Sequence, residues 1–144
     1  MIAGAYEEFK GAFITGVVYL KPPVDQVLQV KFLVDTGAAH SFLSLADLAE
    51  LATGVRAQLP MTPSGGIRGI GGTALSCDLP VSIAFRHENG DATLLGLSLS
   101  VLVEPESADL PSVLGRDVLF RGALHFHPTA GEVYFDAPRG SFVI

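Results

Sequence analysis

Two strand-length apolar runs, 12–20 (AFITGVVYL) and 26–34 (QVLQVKFLV), flank Lys21-Pro22-Pro23-Val24-Asp25, and the second runs straight into an acid. Both are rich in β-branched and aromatic side chains. The proline pair between them continues neither a strand nor a helix, so the segment predicts a hairpin. That hairpin ends at Asp35, which is followed by Thr36, Gly37, Ala38 and Ala39. A carboxylate at a strand exit among such small residues leaves room for a backbone or a substrate to come close.

The rest of the chain keeps this rhythm. Ser44 to Leu51 (SLADLAEL) predicts a short helix, with Ser44 as its cap, Asp47 in the first turn and Gly54 beyond its end. From Met61 to Arg86 a strand pattern surrounds the glycine cluster Gly65 to Gly72, which reads as a long glycine-tipped hairpin arm running into a core strand. Asn89-Gly90 marks a further hairpin turn, followed by the strand LLGLSLSVLV and an acidic loop, Glu104 to Asp109. A last unit, SVLGRDVLF, leads into a hairpin of ALHFH, PTAG and EVYFD. With 16 Gly, 9 Pro and a charged fraction of 17%, the chain predicts an all-β domain spanning 1–144, without linker, repeat or low-complexity run.

Charge narrows the function classes. Nine basic residues against fifteen acidic ones give a net charge of -6, and the basic residues are scattered, so no stripe exists that could neutralise phosphates and no nucleic-acid partner is expected. The lone Cys77 predicts a small buried hydrophobe in a reducing compartment rather than a disulfide framework. Glu7 and Glu8 stand where a secretory leader would be positive, and the run 12–20 is shorter than the about 20 residues that cross a bilayer. A cytoplasmic chain without membrane contact is the expectation.

A single carboxylate is a poor hydrolase, whereas two held roughly 3 Å apart share one proton and can act as base and acid together. Three stretches then take on meaning in order: Val34-Asp35-Thr36-Gly37-Ala38, the hairpin with Arg68-Gly69-Ile70-Gly71-Gly72, and Val113-Leu114-Gly115-Arg116-Asp117. Together they resemble the catalytic loop, flap and hydrophobic-hydrophobic-Gly turn of retropepsin-like aspartic proteases, over about residues 10 to 137. The helix after Asp35 is closer to the DNA-damage-inducible and single-domain bacterial relatives than to the viral enzymes.

The resemblance implies a closed, barrel-like domain with a flap hairpin and one or two short helices, paired with a second copy as a homodimer. It implies endopeptidase activity on a polypeptide substrate, with a water activated between two Asp35 carboxylates and with no cofactor or metal. Thr36 would hydrogen-bond across the paired loops, and Gly37 and Ala38 would complete the active-site loop. Arg68, Gly69, Ile70, Gly71 and Gly72 would form the flap. Val113, Leu114 and Gly115 would brace the loop from behind, and Arg116 and Asp117 would open the following helix. One departure is plain: viral enzymes carry an Asp two residues beyond the glycine, where this chain has Ala39, so Arg116 loses its expected ion-pair partner. A catalytically silent dimeric peptide-binding module of the same fold is the alternative.

Other features compete less well. Gly69-Ile70-Gly71-Gly72-Thr73-Ala74 fits the loose dinucleotide pattern, but residues 75 to 86 alternate like a strand rather than opening a helix. His125 and His127 fall on one strand face, yet no third ligand stands at useful spacing. His40-Ser41 would place base and nucleophile on opposite faces of an extended segment, which predicts a solvated His and a structural Ser. The last residues, Ser141 to Ile144, are a candidate interchain strand.

Overall fold

The computed structural model describes residues 1–22, 24–49, 51, 54, 58, 65–69, 72–102 and 109–144, with the backbone alone for 65–69 and 72–75. The strands are β1 (Ile2–Glu7), β2 (Gly11–Leu20), β3 (Gln26–Val34), β4 (Phe42–Leu43), β5 (Gly65–Gly69), β6 (Gly72–Arg86), β7 (Ala92–Leu102), β8 (Val113–Leu114), β9 (Ala123–His127), β10 (Glu132–Asp136) and β11 (Gly140–Val143). Among the described elements, the one-turn helices α1 (Leu45–Leu48) and α2 (Arg116–Leu119) interrupt them, and a 3-10 turn over Pro128–Ala130 joins β9 to β10.

Each strand that the alternation predicts is present, and the alternation explains its role. Along β2 the residues Ala12, Ile14, Val18 and Leu20 point inward, and along β3 Leu28, Val30 and Phe32 do the same. These strands pair antiparallel from Phe13↔Leu33 to Leu20↔Gln26. β6 and β7 form the longest hairpin, closed at Arg86↔Ala92 by the turn in which Gly90 takes φ +91°, a conformation glycine adopts without a Cβ clash. β6 also pairs with β2 over Val81 to Ala84. The circuit β6-β7-β4-β8-β3-β2 therefore returns on itself and makes a closed barrel.

The core is one contiguous apolar cluster, in which Phe32, Phe85, Phe135, Ile14, Ile83 and Leu114 are almost wholly buried. Burial of each such side chain contributes about 1.5–3 kcal/mol. Cys77 belongs to this interior, 1% exposed, and burial followed by the neighbouring Asp78 charge pushes its thiol pKa up. β1, β10 and β9 extend the sheet beyond the barrel. Among the described residues, no helix is long and apolar enough to cross a membrane.

One expectation needs correction. α1 ends at Leu48 instead of continuing to Leu51; Ser44 does cap it by accepting from the Asp47 amide, but so short a helix depends on packing rather than propensity. Gly140 to Val143 pair in parallel with Thr93 to Gly96 of β7 in the same chain.

Candidate active site

Asp35 sits where β3 leaves the barrel. Leu33 and Val34 pair in parallel with Val113 and Leu114 of β8, and the Asp35 amide donates to the Leu114 carbonyl at 3.1 Å, so the backbone of Asp35 is held by β8. The chain then turns sharply, with the Ala38 amide donating to the Asp35 carbonyl at 3.2 Å. This brings the Gly37 amide to 2.8 Å from Asp35 Oδ1. The other carboxylate oxygen, Oδ2, has no protein partner among the described residues. Asp35 is half-buried, whereas Thr36 and Gly37 are exposed. The Thr36 hydroxyl also has no partner among the described residues, so both groups are open to whatever meets this loop.

The loop is locked against α2 by backbone and side chain. The Arg116 amide donates to the Ala38 carbonyl at 2.8 Å and the Asp117 amide to the Ala39 carbonyl at 3.3 Å. Gly115 has to be glycine: a Cβ there would lie 2.7 Å from the His40 carbonyl carbon and 2.8 Å from the Ala38 oxygen, both backbone atoms that cannot swing aside. Arg116 is not left idle by Ala39. Its Nη1 donates to the Thr36 and Gly37 carbonyls at 3.1 and 3.0 Å.

Asp117 has a different occupation from that of Asp35. Its carboxylate accepts from the Ser41 amide at 3.0 Å, from the Ser41 hydroxyl at 2.6 Å and from the Val118 amide at 2.9 Å. Ser41 Oγ in turn accepts from the Gly115 amide at 2.9 Å. Asp117 is thus consumed as a structural acceptor, which leaves Asp35 as the acid of this loop with an open oxygen. A second group, Ser44, Asp47 and Ser112, ties the α1 cap to the start of β8: the Ser44 amide donates to Ser112 Oγ at 2.9 Å, and the Ser112 hydroxyl donates to the Asp47 carboxylate.

The expected site residues divide into three groups. Asp35, Thr36, Gly37, Ala38, Val113, Leu114, Gly115, Arg116 and Asp117 converge on one loop cluster. Arg68, Gly69 and Gly72 lie in the β5–β6 hairpin, with Arg68↔Thr73 and Gly69↔Gly72 as its last rungs. Ile70 and Gly71, at the expected tip, fall outside the described residues, as do 103–108 of the acidic loop. Ser41 was legible only as a structural serine, and its tie to Asp117 had no signal in spacing because 76 residues separate them. His40 and Ser41 are not in a strand; His40 is exposed and Ser41 is 1% exposed, so they form no nucleophile pair. Among the described residues no three His, Cys, Asp or Glu side chains could hold a metal ion.

No protein-family model and no curated protein matches this chain. A solved structure does: EIAV protease complexed with the inhibitor HBY-793 is 23% identical, with a TM-score of 0.52, over 80% of this chain and 90% of that one. Identity at this level speaks for the fold. The closed barrel, the two-residue strands behind the Asp35 loop and this likeness together establish that the chain has the retropepsin-like acid protease fold.

Proposed function

We propose that the protein is an aspartic endopeptidase whose active site is assembled from two copies of this chain, each contributing Asp35. The observation that supports this best is the asymmetry between the two acids of the loop cluster. Asp117 is saturated by Ser41 and Val118, whereas Asp35 keeps Oδ2 open beside an exposed Thr36-Gly37 turn. A second open carboxylate must come from elsewhere, and a second copy supplies an identical one.

The chemistry is that of aspartic proteases generally. Two close carboxylates cannot both ionise, so the pair holds one proton and titrates as a unit. The ionised member takes a proton from water while the protonated member donates to the scissile carbonyl oxygen, and a tetrahedral diol forms. Proton return to the amide nitrogen then breaks the C–N bond, giving an amine and a carboxylic acid. The Gly37 amide holds Asp35 Oδ1, which leaves the outer oxygen to face water. An extended polypeptide fits between this floor and the β5–β6 arm as an added strand.

The test is cleavage of a peptide library at mildly acidic and neutral pH, with and without a pepstatin-like inhibitor. Asp35→Asn is expected to lower kcat about 10⁴-fold or more while leaving the fold and association intact. Binding of peptides without turnover at any pH would instead establish the silent module.

A further inference from the structure

β11 lies along β7 as a strap, and a cavity of about 250 Å³ is enclosed among β7, the end of β10 and this strap. Leu95 and Phe135, both almost wholly buried, back the cavity, and Phe142, Val143 and Ile144 wall it. It shares no residue with the Asp35 loop cluster.

The lining holds two polar side chains, Thr93 and Arg121. The Thr93 hydroxyl is already occupied, since it meets His87 Nε2 at 2.7 Å and donates to the Pro138 carbonyl at 2.6 Å. Arg121 is different. Its Nε donates to the Asp117 carbonyl at 3.3 Å, and its terminal nitrogens have no partner among the described residues. The ion pairs of the described residues are Lys31–Glu7 and Arg139–Asp91, so none of their carboxylates neutralises Arg121. Gly122, next in the chain, lies so close to β10 that a Cβ would come within 2.2 Å of the Asp136 oxygen, which seats the Arg121 turn at the cavity. An apolar chamber thus carries one cation at an exposed rim.

We propose that this cavity binds a small monocarboxylate with an apolar body, its two oxygens bridged to the Arg121 guanidinium. The class of ligand follows from the wall. A body inside meets no open side-chain donor or acceptor besides Arg121, so polar groups on it would lose water without compensation. At the rim a planar guanidinium matches a carboxylate through two parallel N–H···O bonds. A phosphate ester brings about two negative charges, which suits a single cation on a chain of net charge -6 less well. Volume sets the size: about 150 Å³ takes a benzene ring, so 250 Å³ takes roughly ten carbon atoms. This site and the catalytic proposal do not depend on each other.

Decanoate is the probe, with decanol and decyltrimethylammonium as its uncharged and cationic counterparts. Calorimetry on the full chain, below the concentration at which micelles form, should show saturable decanoate binding at one site per chain. Decanol is expected to bind about 10-fold more weakly, and the ammonium weaker still. Methyl resonances of Leu95, Val143 and Ile144 should shift with decanoate, while those of Val27, exposed on β3, stay in place. Arg121→Met should bring decanoate down to the affinity of decanol and leave decanol binding unchanged, which shows the cavity intact. The proposal is overturned if decanoate does not saturate, if decanol binds the wild-type chain as tightly, or if Val27 shifts as much as Val143. An Arg121→Met chain that holds decanoate as tightly as the wild type overturns it too. The ligand series needs no variant, so it decides the matter even where Arg121→Met loses decanol as well.

Discussion

Ser41 and Asp117 lie 76 residues apart in the chain and are joined by amide and hydroxyl donation into one carboxylate, with the Ser41 oxygen returning a bond to the Gly115 amide. Ser41→Ala removes a buried hydroxyl that serves both loops and leaves the Gly115 amide unpaired. Urea unfolding is expected to show a loss of about 1–3 kcal/mol. Cleavage should fall more steeply than stability, because the same bonds hold the Asp35 loop against β8.

Gly115→Ala tests the closeness of that contact. A methyl group would press on the His40 and Ala38 backbone, so the loop must shift, at a cost of about 1–3 kcal/mol and with most of the activity. Gly96→Ala is the matched control, since its Cβ would meet nothing closer than 3.7 Å. Thermal melts of the two variants should separate clearly.

His87 predicts an acid-labile fold. It is 2% exposed, Nε2 lies 2.7 Å from Thr93 Oγ1, and the single Thr93 hydroxyl proton goes to the Pro138 carbonyl at 2.6 Å. Nε2 must therefore be the donor, and Nδ1 is a buried lone pair without a partner. Burial first, then the N-terminal amine and Arg139, push the pKa below the usual 6.5, against the pull of Asp91 and Asp136. The unfolded chain binds this proton more readily than the folded one. The contribution to stability is thus complete above about pH 6.5 and is lost as pH falls from there toward the depressed folded value. Denaturant midpoints measured from pH 7.5 downward should decline through this range, and His87→Leu should flatten that part of the slope.

Arg116→Met keeps the side-chain stem and removes the guanidinium from the Thr36 and Gly37 carbonyls. Exposed polar contacts contribute little to stability, so the unfolding midpoint should move by less than about 1 kcal/mol. The kcat should drop about 10-fold or more through a misplaced Thr36-Gly37 turn.

The strands were legible because each carries its own pattern: β2 and β3 alternate inward and outward residues, and Asn89-Gly90 announces its turn. Asp35 was legible as an acid at a strand exit, and its open state came only from the structure, since the contrast with Asp117 depends on what Ser41 does. The Asn89-Gly90 turn signal said nothing of His87, whose Nε2 meets Thr93, a residue tied in turn to Pro138, while the next amide, that of Glu88, donates to Met1. The carbonyl partners of Arg116 were equally hidden, because a main-chain acceptor leaves no mark on residue type.

Those carbonyls set the conditions under which the loop keeps its shape. A guanidinium paired with a carboxylate loses its counter-charge when acid protonates the partner, and the fastening loosens in the medium where a shared-proton dyad operates. Peptide oxygens do not titrate there. With alanine at position 39 and Arg116 turned onto Thr36 and Gly37, this one fastening of the loop does not depend on the ionisation of a partner.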